Sequence, residues 1–345
     1  MTNLREIVEK IKNKDLVEAL KLCDNCNDKN NQHIISNFKG VIYLIKGDLE
    51  LSEKNLLKSI ELKPKFEDPI KNLYSLNLKK KKFDKVLFYA KELVKFNSDN
   101  NEYNYQLAYA HELNNNLNET VENYLKYISL DGKNKKQAYN NIGCLYLQRN
   151  NPKTAKDFFL KGIEFGEDKI IINNLFRSYI LLRDIENSDS LFKKAENIDK
   201  NFLEFKYNKA KYFILKNEIE NAIKILKDNI NNSQFLITLL ILYSNIGRKE
   251  DCNKLLAEAK DKIINEPEFL NYYGLKLLYE GNFKDGWKYY EYRNSKITDF
   301  FKGISEWSGE KIKNKNIVVF NEQGIGDSIQ FSKYVIPLTK IAQNV

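Results

Sequence analysis

The chain of 345 residues is short of the side chains that most enzyme chemistry needs. It has two histidines, His33 and His111, and four cysteines. So few imidazoles argue against histidine-based acid–base or metal chemistry. Cys23 and Cys26 form a CxxC pair with His33 close by, the kind of spacing that can start a zinc site. No second ligand pair follows, so packing is the better reading and no metal is expected. Cys144 and Cys252 fall beside or on small-residue positions, and disulfide staples are not implied. HExxH, P-loop and nucleophile motifs are missing too.

Arginine is scarce. The net charge is +9, yet the cations are almost all lysine, with arginine only at Arg5, Arg149, Arg177, Arg183, Arg248 and Arg293. Phosphate and base recognition favours the planar guanidinium fork, so a nucleic-acid partner is not expected. The run Lys79 to Lys82 falls at a turn between helices, where solvated charge belongs.

Long hydrophobic runs are also missing. The most apolar stretch, Phe235 to Tyr243, is about half of the ~20 residues that cross a bilayer. No membrane span is expected. The opening MTNLREIVEKIKNKD carries acidic residues and no continuous apolar core, so it does not read as a secretory signal, and a cytoplasmic location is expected. What the chain does have is bulk for packing, with a hydrophobic fraction of 42% including 21 Tyr and 20 Phe.

That bulk recurs in register. Tyr139 to Gly162 reads as two short amphipathic helices, one ending near Gln148 and one starting near Pro152, neither with enough apolar surface to stand alone. Its first small position, Gly143, belongs to the series Ile7, Gly40, Tyr74, Ala108, Gly143, Phe176, Ala210, Leu240 and Gly274, at spacings of 30 to 35 residues. Twelve residues after each come Ala19, Ser52, Val86, Thr120, Ala155, Ser188, Ala222, Cys252 and Gly286. Four further on stand Cys23, Leu56, Ala90, Tyr124, Phe159, Phe192, Leu226, Leu256 and Tyr290. A small residue lets two helices approach and a large one fills the gap beyond it.

At this period and pattern the chain resembles the tetratricopeptide repeat (TPR) family over residues 1–300. The resemblance implies an all-α fold, a right-handed α-solenoid of about nine helical hairpins, each leaning on its neighbours. The first copy, residues 1–32, is degenerate, as terminal copies often are. The copy holding Ala210 and Ala222 is about four residues short, so a slight kink is expected near Asn229 to Ser233. Two positions before the first small slot lie Asn72, Gln106, Asn141, Asn174 and Asn208. A row of carboxamides can donate to and accept from an extended peptide backbone. The row is similar to the asparagine ladder of protein O-linked N-acetylglucosamine transferases; it reads equally as a solvated face. Arg177 and Lys211, three residues after two members, favour an acidic segment or pair with acidic neighbours.

From Lys296 the repeat stops. Residues 301–316 read as a linker, and 317–345 as one β-loop-α unit: a buried parallel strand at Ile317 to Phe320, a glycine loop, then a helix from about Ser328 to Ala342 that Pro337 kinks or divides. The last repeat helix, Gly286 to Arg293, is unusually aromatic and suggests a docked domain, or else a cap facing nothing. Trp287-x-x-Tyr290-Glu291-x-Arg293, Trp307-x-Gly309 and Glu322-Gln323-Gly324-x-Gly326-Asp327-x-x-Gln330-Phe331 follow in order. Over roughly 281–345 this resembles the junction in bacterial proteins where TPRs lead into a two-lobed, heptosyltransferase-like glycosyltransferase of the GT-B, Rossmann-like type.

The resemblance implies a nucleotide-sugar donor and an acceptor hydroxyl for the complete enzyme. Asp327 would act as base, Gly324 and Gly326 would shape the loop, and Glu322 and Gln323 would hold a sugar hydroxyl or the loop. Asp327 reads alternatively as a helix cap. The donor-binding lobe is not in 317–345, so the chain as given should be inactive by itself and holds no cofactor of its own. Two functions follow: the peptide-binding region of a glycosyltransferase, or a non-catalytic TPR scaffold for a protein partner.

Overall fold

The computed structural model describes residues 4–26, 28–198, 201–263, 266–293, 304–305, 307–320 and 325–345. The chain divides into two compact units, Met1–Ala222 and Ile223–Val345.

In the first unit consecutive helices pair as antiparallel hairpins. They are α1 (Leu4–Lys12) with α2 (Leu16–Asp24), α3 (Gln32–Lys46) with α4 (Leu49–Leu62), and α5 (Glu67–Lys79) with α6 (Phe83–Phe96). Then come α7 (Asn101–Leu113) with α8 (Leu117–Ser129), α9 (Lys135–Gln148) with α10 (Pro152–Ile163), and α11 (Lys169–Leu181) with α12 (Ile185–Ile198). The second helix of each hairpin packs on the first helix of the next, through α13 (Leu203–Leu215). The division between units falls inside α14 (Ile219–Lys227).

The hairpin turns show why the helices stop where they do. Seven residues after each first small slot the backbone turns left-handed: Lys14, Gly47, Lys81, Asn115, Asn150, Arg183 and Asn217 in the first unit, Gly247 and Gly281 in the second. A positive φ takes the chain out of the right-handed helix and aims it back along the hairpin. In several hairpins the side chain of the next residue then caps the second helix. Asp15, Asp48, Asn151 and Asp184 each accept a hydrogen bond from the backbone N–H three residues on, satisfying an otherwise unpaired donor.

The slots form the core. Every member of the first series is buried, from Ile7 to Gly274, and so is every member of the second, from Ala19 to Gly286. Between the first and third series the structure reveals complementary sizes. A Cβ built on Gly40 would stand 2.6 Å from Leu56 Cδ2, and one on Gly143 only 2.4 Å from Phe159 Cε1. The assignment also runs the other way, with large Tyr74 and small Ala90 in one core cluster; Ala108 and Tyr124 share another. Phe176 and Phe192 are both large, their rings 6.2 Å apart, and Phe192 is half-buried in consequence. Ser52 adds a polar tie, its Oγ donating to the Gly40 carbonyl at 2.8 Å.

The second unit continues from α14 with α15 (Ser233–Asn245) and α16 (Lys249–Ile263), then α17 (Pro267–Tyr279) and α18 (Phe283–Tyr290). The apolar run at 235–243 is a core helix: Phe235, Leu236, Leu239, Leu240, Leu242 and Tyr243 are all buried. Among the described residues no helix is long and apolar enough to cross a membrane. On the last hairpin Leu275, Tyr279, Phe283 and Trp287 are exposed, Tyr279 at 94%.

The strand expected at Ile317 to Phe320 does not form. A single parallel bridge joins Asn316 to Asn344, with Ile317 N donating to the Asn344 carbonyl and Gln343 N to the Lys315 carbonyl, each at 2.9 Å. Val318, Val319 and Phe320 are exposed, because among the described residues no sheet exists to cover them. The expected long helix is broken into α19 (Ile325–Phe331), a 3-10 turn at Ser332–Tyr334, and α20 (Val335–Leu338). Pro337 sits in α20 and supplies no backbone N–H there. Among the described residues the fold is thus an all-helical, TPR-like repeat array.

Candidate binding face of the first helices

The carboxamide row lies on the first helices α5, α7, α9, α11 and α13. Asn72, Gln106, Asn141 and Asn174 are half-buried, and Asn208 is buried. Three of them reach back to an asparagine of the preceding hairpin. Asn72 Nδ2 donates to Asn37 Oδ1, Asn174 Nδ2 to Asn140 Oδ1 and Asn208 Nδ2 to Asn173 Oδ1, each at 2.9 Å.

The acceptors Asn37, Asn140 and Asn173 stand three residues before the first small slot. They escaped the sequence reading, although the period that revealed the row places them one residue earlier. Where that position holds a tyrosine, the donor changes partner: Asn141 Nδ2 lies 3.4 Å from Tyr105 Oη and 3.1 Å from Tyr124 Oη. Where it holds Lys71, the buried Gln106 Oε1 has no hydrogen-bond partner. A carboxamide has two donors and two acceptor lone pairs, so one inter-repeat bond orients the group and leaves capacity for another partner.

Arg177 is exposed on the same face. Lys211 instead lies over the Tyr207 ring, 4.5 Å from its centroid. On α9, Cys144 Sγ receives Asn174 Nδ2 at 3.4 Å. Burial pushes the Cys144 thiol up to about 11, with the Arg177 charge opposing and the Glu112 charge adding, so it stays a thiol at neutral pH.

The remaining titratable candidates are packing groups. Burial pushes the Cys23 thiol up to about 12, which disfavours the thiolate that zinc requires. His33 sits edge-on to Phe66, and His111 is buried with Nδ1 3.2 Å from Asn116 Nδ2. Desolvation lowers the pKa of both rings. Among the described residues no cluster of His, Cys, Asp or Glu has the makings of a metal site.

Of the C-terminal candidates, Glu322, Gln323 and Gly324 lie outside the described residues. Asp327 falls in α19, and its side chain lies outside them too. Gly326 is exposed, and a Cβ built there would meet nothing within 4 Å. Trp307 makes a local bond, its indole N–H donating to the Glu310 carbonyl at 2.8 Å.

Paired helices with small-to-large packing, left-handed turns in register and an amide row on the first helices define a helical-repeat protein. The tetratricopeptide repeat model matches residues 35–66 and 136–165, so the chain carries tetratricopeptide repeats. Solved structures agree on the fold. A tetratricopeptide repeat protein from Parabacteroides merdae is 16% identical over 69% of this chain and 96% of that one, with a TM-score of 0.50. The C-terminal part of a TPR repeat-containing protein from Cytophaga hutchinsonii is 15% identical over 66% of this chain and 94% of its own, with a TM-score of 0.55. No curated protein matches the chain.

Proposed function

We propose that the first-helix face binds an extended segment of a partner protein in the cytoplasm, reading mainly its backbone. The observation that carries this is the row of carboxamides, four half-buried and Asn208 buried, three of whose members are held by 2.9 Å bonds between hairpins. Groups oriented before binding lose little freedom when a ligand arrives, and amides match a peptide backbone whatever its side chains. Arg177 biases the choice toward segments with an acidic residue nearby.

The test is an array of end-capped twelve-residue peptides probed with the full chain and with the Asn141→Ala/Asn174→Ala double variant. Binding by the full chain, lost in the variant while its helical circular dichroism is kept, is the expected result. Failure of the full chain to bind any peptide overturns the reading. Deletion of 296–345 should leave binding in place.

A second reading keeps the resemblance of 281–345 to the start of a glycosyltransferase lobe, for which the repeats would present an acceptor and Asp327 would serve as base. What favours it is the parallel bridge between Asn316 and Asn344 on either side of α19 and α20, the pairing with which a β-α-β crossover begins. Sequence downstream of the Val345 codon tests it. A donor-binding lobe in frame is the expected result, and Asp327→Ala should then lower turnover far more than substrate affinity. A stop codon with no homologous frame beyond it removes the reading.

A further inference from the structure

Glu112 stands four residues after Ala108, near the end of α7, with its side chain half-buried. Its Oε2 accepts the hydroxyl of Tyr124 at 2.9 Å. The Tyr124 ring packs edge-on against Tyr105, with centroids 5.3 Å apart, and Asn141 Nδ2 reaches both phenol oxygens. Thus α7 supplies a carboxyl and a half-buried aromatic ring, α8 a phenol and α9 an amide, at one place along the carboxamide row.

The carboxyl has no cation of its own. Among the described residues no lysine or arginine pairs with Glu112, and burial alone raises its pKa, opposed only by the Tyr124 hydroxyl. Glu53 makes the contrast: Lys80 and Lys85 sit 2.6 and 2.8 Å from its two oxygens. In this lysine-rich chain the half-buried Glu112 carboxyl is left with one neutral side-chain donor among the described residues, the Tyr124 hydroxyl. Among the described residues, the other charged or titratable groups facing this place include Tyr105 and Glu102 from α7, Tyr124 and Tyr127 from α8, Cys144 from α9 and, through Cys144, Arg177 from α11.

We infer that Glu112 and the Tyr105 ring form a socket for one cationic side chain, a lysine or arginine, of the segment bound along the first helices, with Asn141 Nδ2 holding the two phenol oxygens in place. The inference rests on the peptide-binding reading above. A carboxylate removed from bulk water attracts a cation more strongly than an exposed one, and a tyrosine ring adds cation–π attraction. The incoming charge also repays the desolvation that Glu112 bears unpaired in the free protein. Together with Arg177 on α11, the socket sets a charge pattern and therefore a chain direction for the bound segment: a base beside α7 and an acid beside α11.

The experiment uses the full chain and three pools of end-capped twelve-residue peptides with randomised flanks, fixed at the centre as lysine, arginine or N-acetyl-lysine. Fluorescence anisotropy should show the lysine and arginine pools binding about tenfold tighter than the acetyl-lysine pool at pH 7. Glu112→Gln keeps an oxygen for the Tyr124 hydroxyl and should fold with an unchanged melting profile. It should bind all three pools alike, with acetyl-lysine affinity within about twofold of the parent. The preference should also fade as the pH falls into the carboxylate range, because protonated Glu112 offers no charge. Equal binding of all pools by the parent overturns the socket and leaves the peptide-binding reading standing. A preference that survives in Glu112→Gln overturns it too, whereas absence of binding by every pool removes both.

Discussion

Gly143 and Phe159 share one space, sixteen residues apart on the two helices of one hairpin. The Phe159 ring lies where a Cβ on residue 143 would be, 2.4 Å from Cε1. Thus Gly143→Leu should overpack the hairpin and destabilise the protein by about 3 kcal/mol. Tyr74 opposite Ala90 shows that the same space also accepts the reverse assignment. Adding Phe159→Ala to Gly143→Tyr should therefore recover at least half of the loss caused by Gly143→Tyr alone. Chemical denaturation of the three variants measures it; a double variant no more stable than the single one contradicts the size pairing.

The left-handed turns carry strain where the residue has a side chain. Lys81 holds a φ of +53° and Arg183 one of +57°. A left-handed residue with a Cβ costs roughly 1–2 kcal/mol, and glycine returns part of that as chain entropy, about 0.5–1 kcal/mol. Lys81→Gly is thus expected to stabilise the protein by about 0.5–1 kcal/mol. A lower melting temperature would contradict a left-handed turn at that position.

Asn208 and Asn173 form the most buried of the inter-hairpin amide bonds. Replacing Asn208 by alanine removes the donor to Asn173 Oδ1 and should cost about 1–2 kcal/mol. A double-mutant cycle over the two positions should return a coupling energy of about 1 kcal/mol; a value near zero would mean that the two amides act independently.

Acid sensitivity should come in part from Glu53. Hydrogen bonds from Lys80 and then Lys85 hold its carboxyl down to about 2, from an ordinary 4.5. A carboxyl with a lowered folded-state pKa contributes stability that is present above the unfolded value and lost as the pH falls toward the folded one. The loss should therefore appear between about pH 4.5 and 2, and Glu53→Gln should flatten that limb of a stability–pH curve. At neutral pH the variant leaves Lys80, whose side chain is 7% exposed, with Glu50 alone. A cost of about 2 kcal/mol is expected there.

The repeat was legible in the sequence because the core is one-dimensional. Each hairpin meets only its neighbours, so the same slots recur and a period of about 34 survives wide substitution. The helix bounds at Gln148 and Pro152 follow from local chemistry, a left-handed turn and a proline at the helix start. The amide acceptors were harder to see. Asn37, Asn140 and Asn173 look like scattered members of an asparagine-rich chain until the period is tracked one residue upstream of the donors. Glu112 was invisible for another reason: its meaning lies in the missing cation, and no sequence pattern records a missing neighbour. The strand at Ile317 to Phe320 misled because apolar β-branched residues form a strand only where a sheet receives them.

Backbone recognition by the amide row is tested most directly by two scans of one binding peptide. In the first, each backbone N–H is methylated in turn; in the second, each side chain is cut to alanine. The account predicts that N-methylation at alternate positions lowers affinity about tenfold or more, while alanine costs under about threefold everywhere except at the charged positions. A peptide that tolerates N-methylation throughout but loses binding with its uncharged side chains would contradict it.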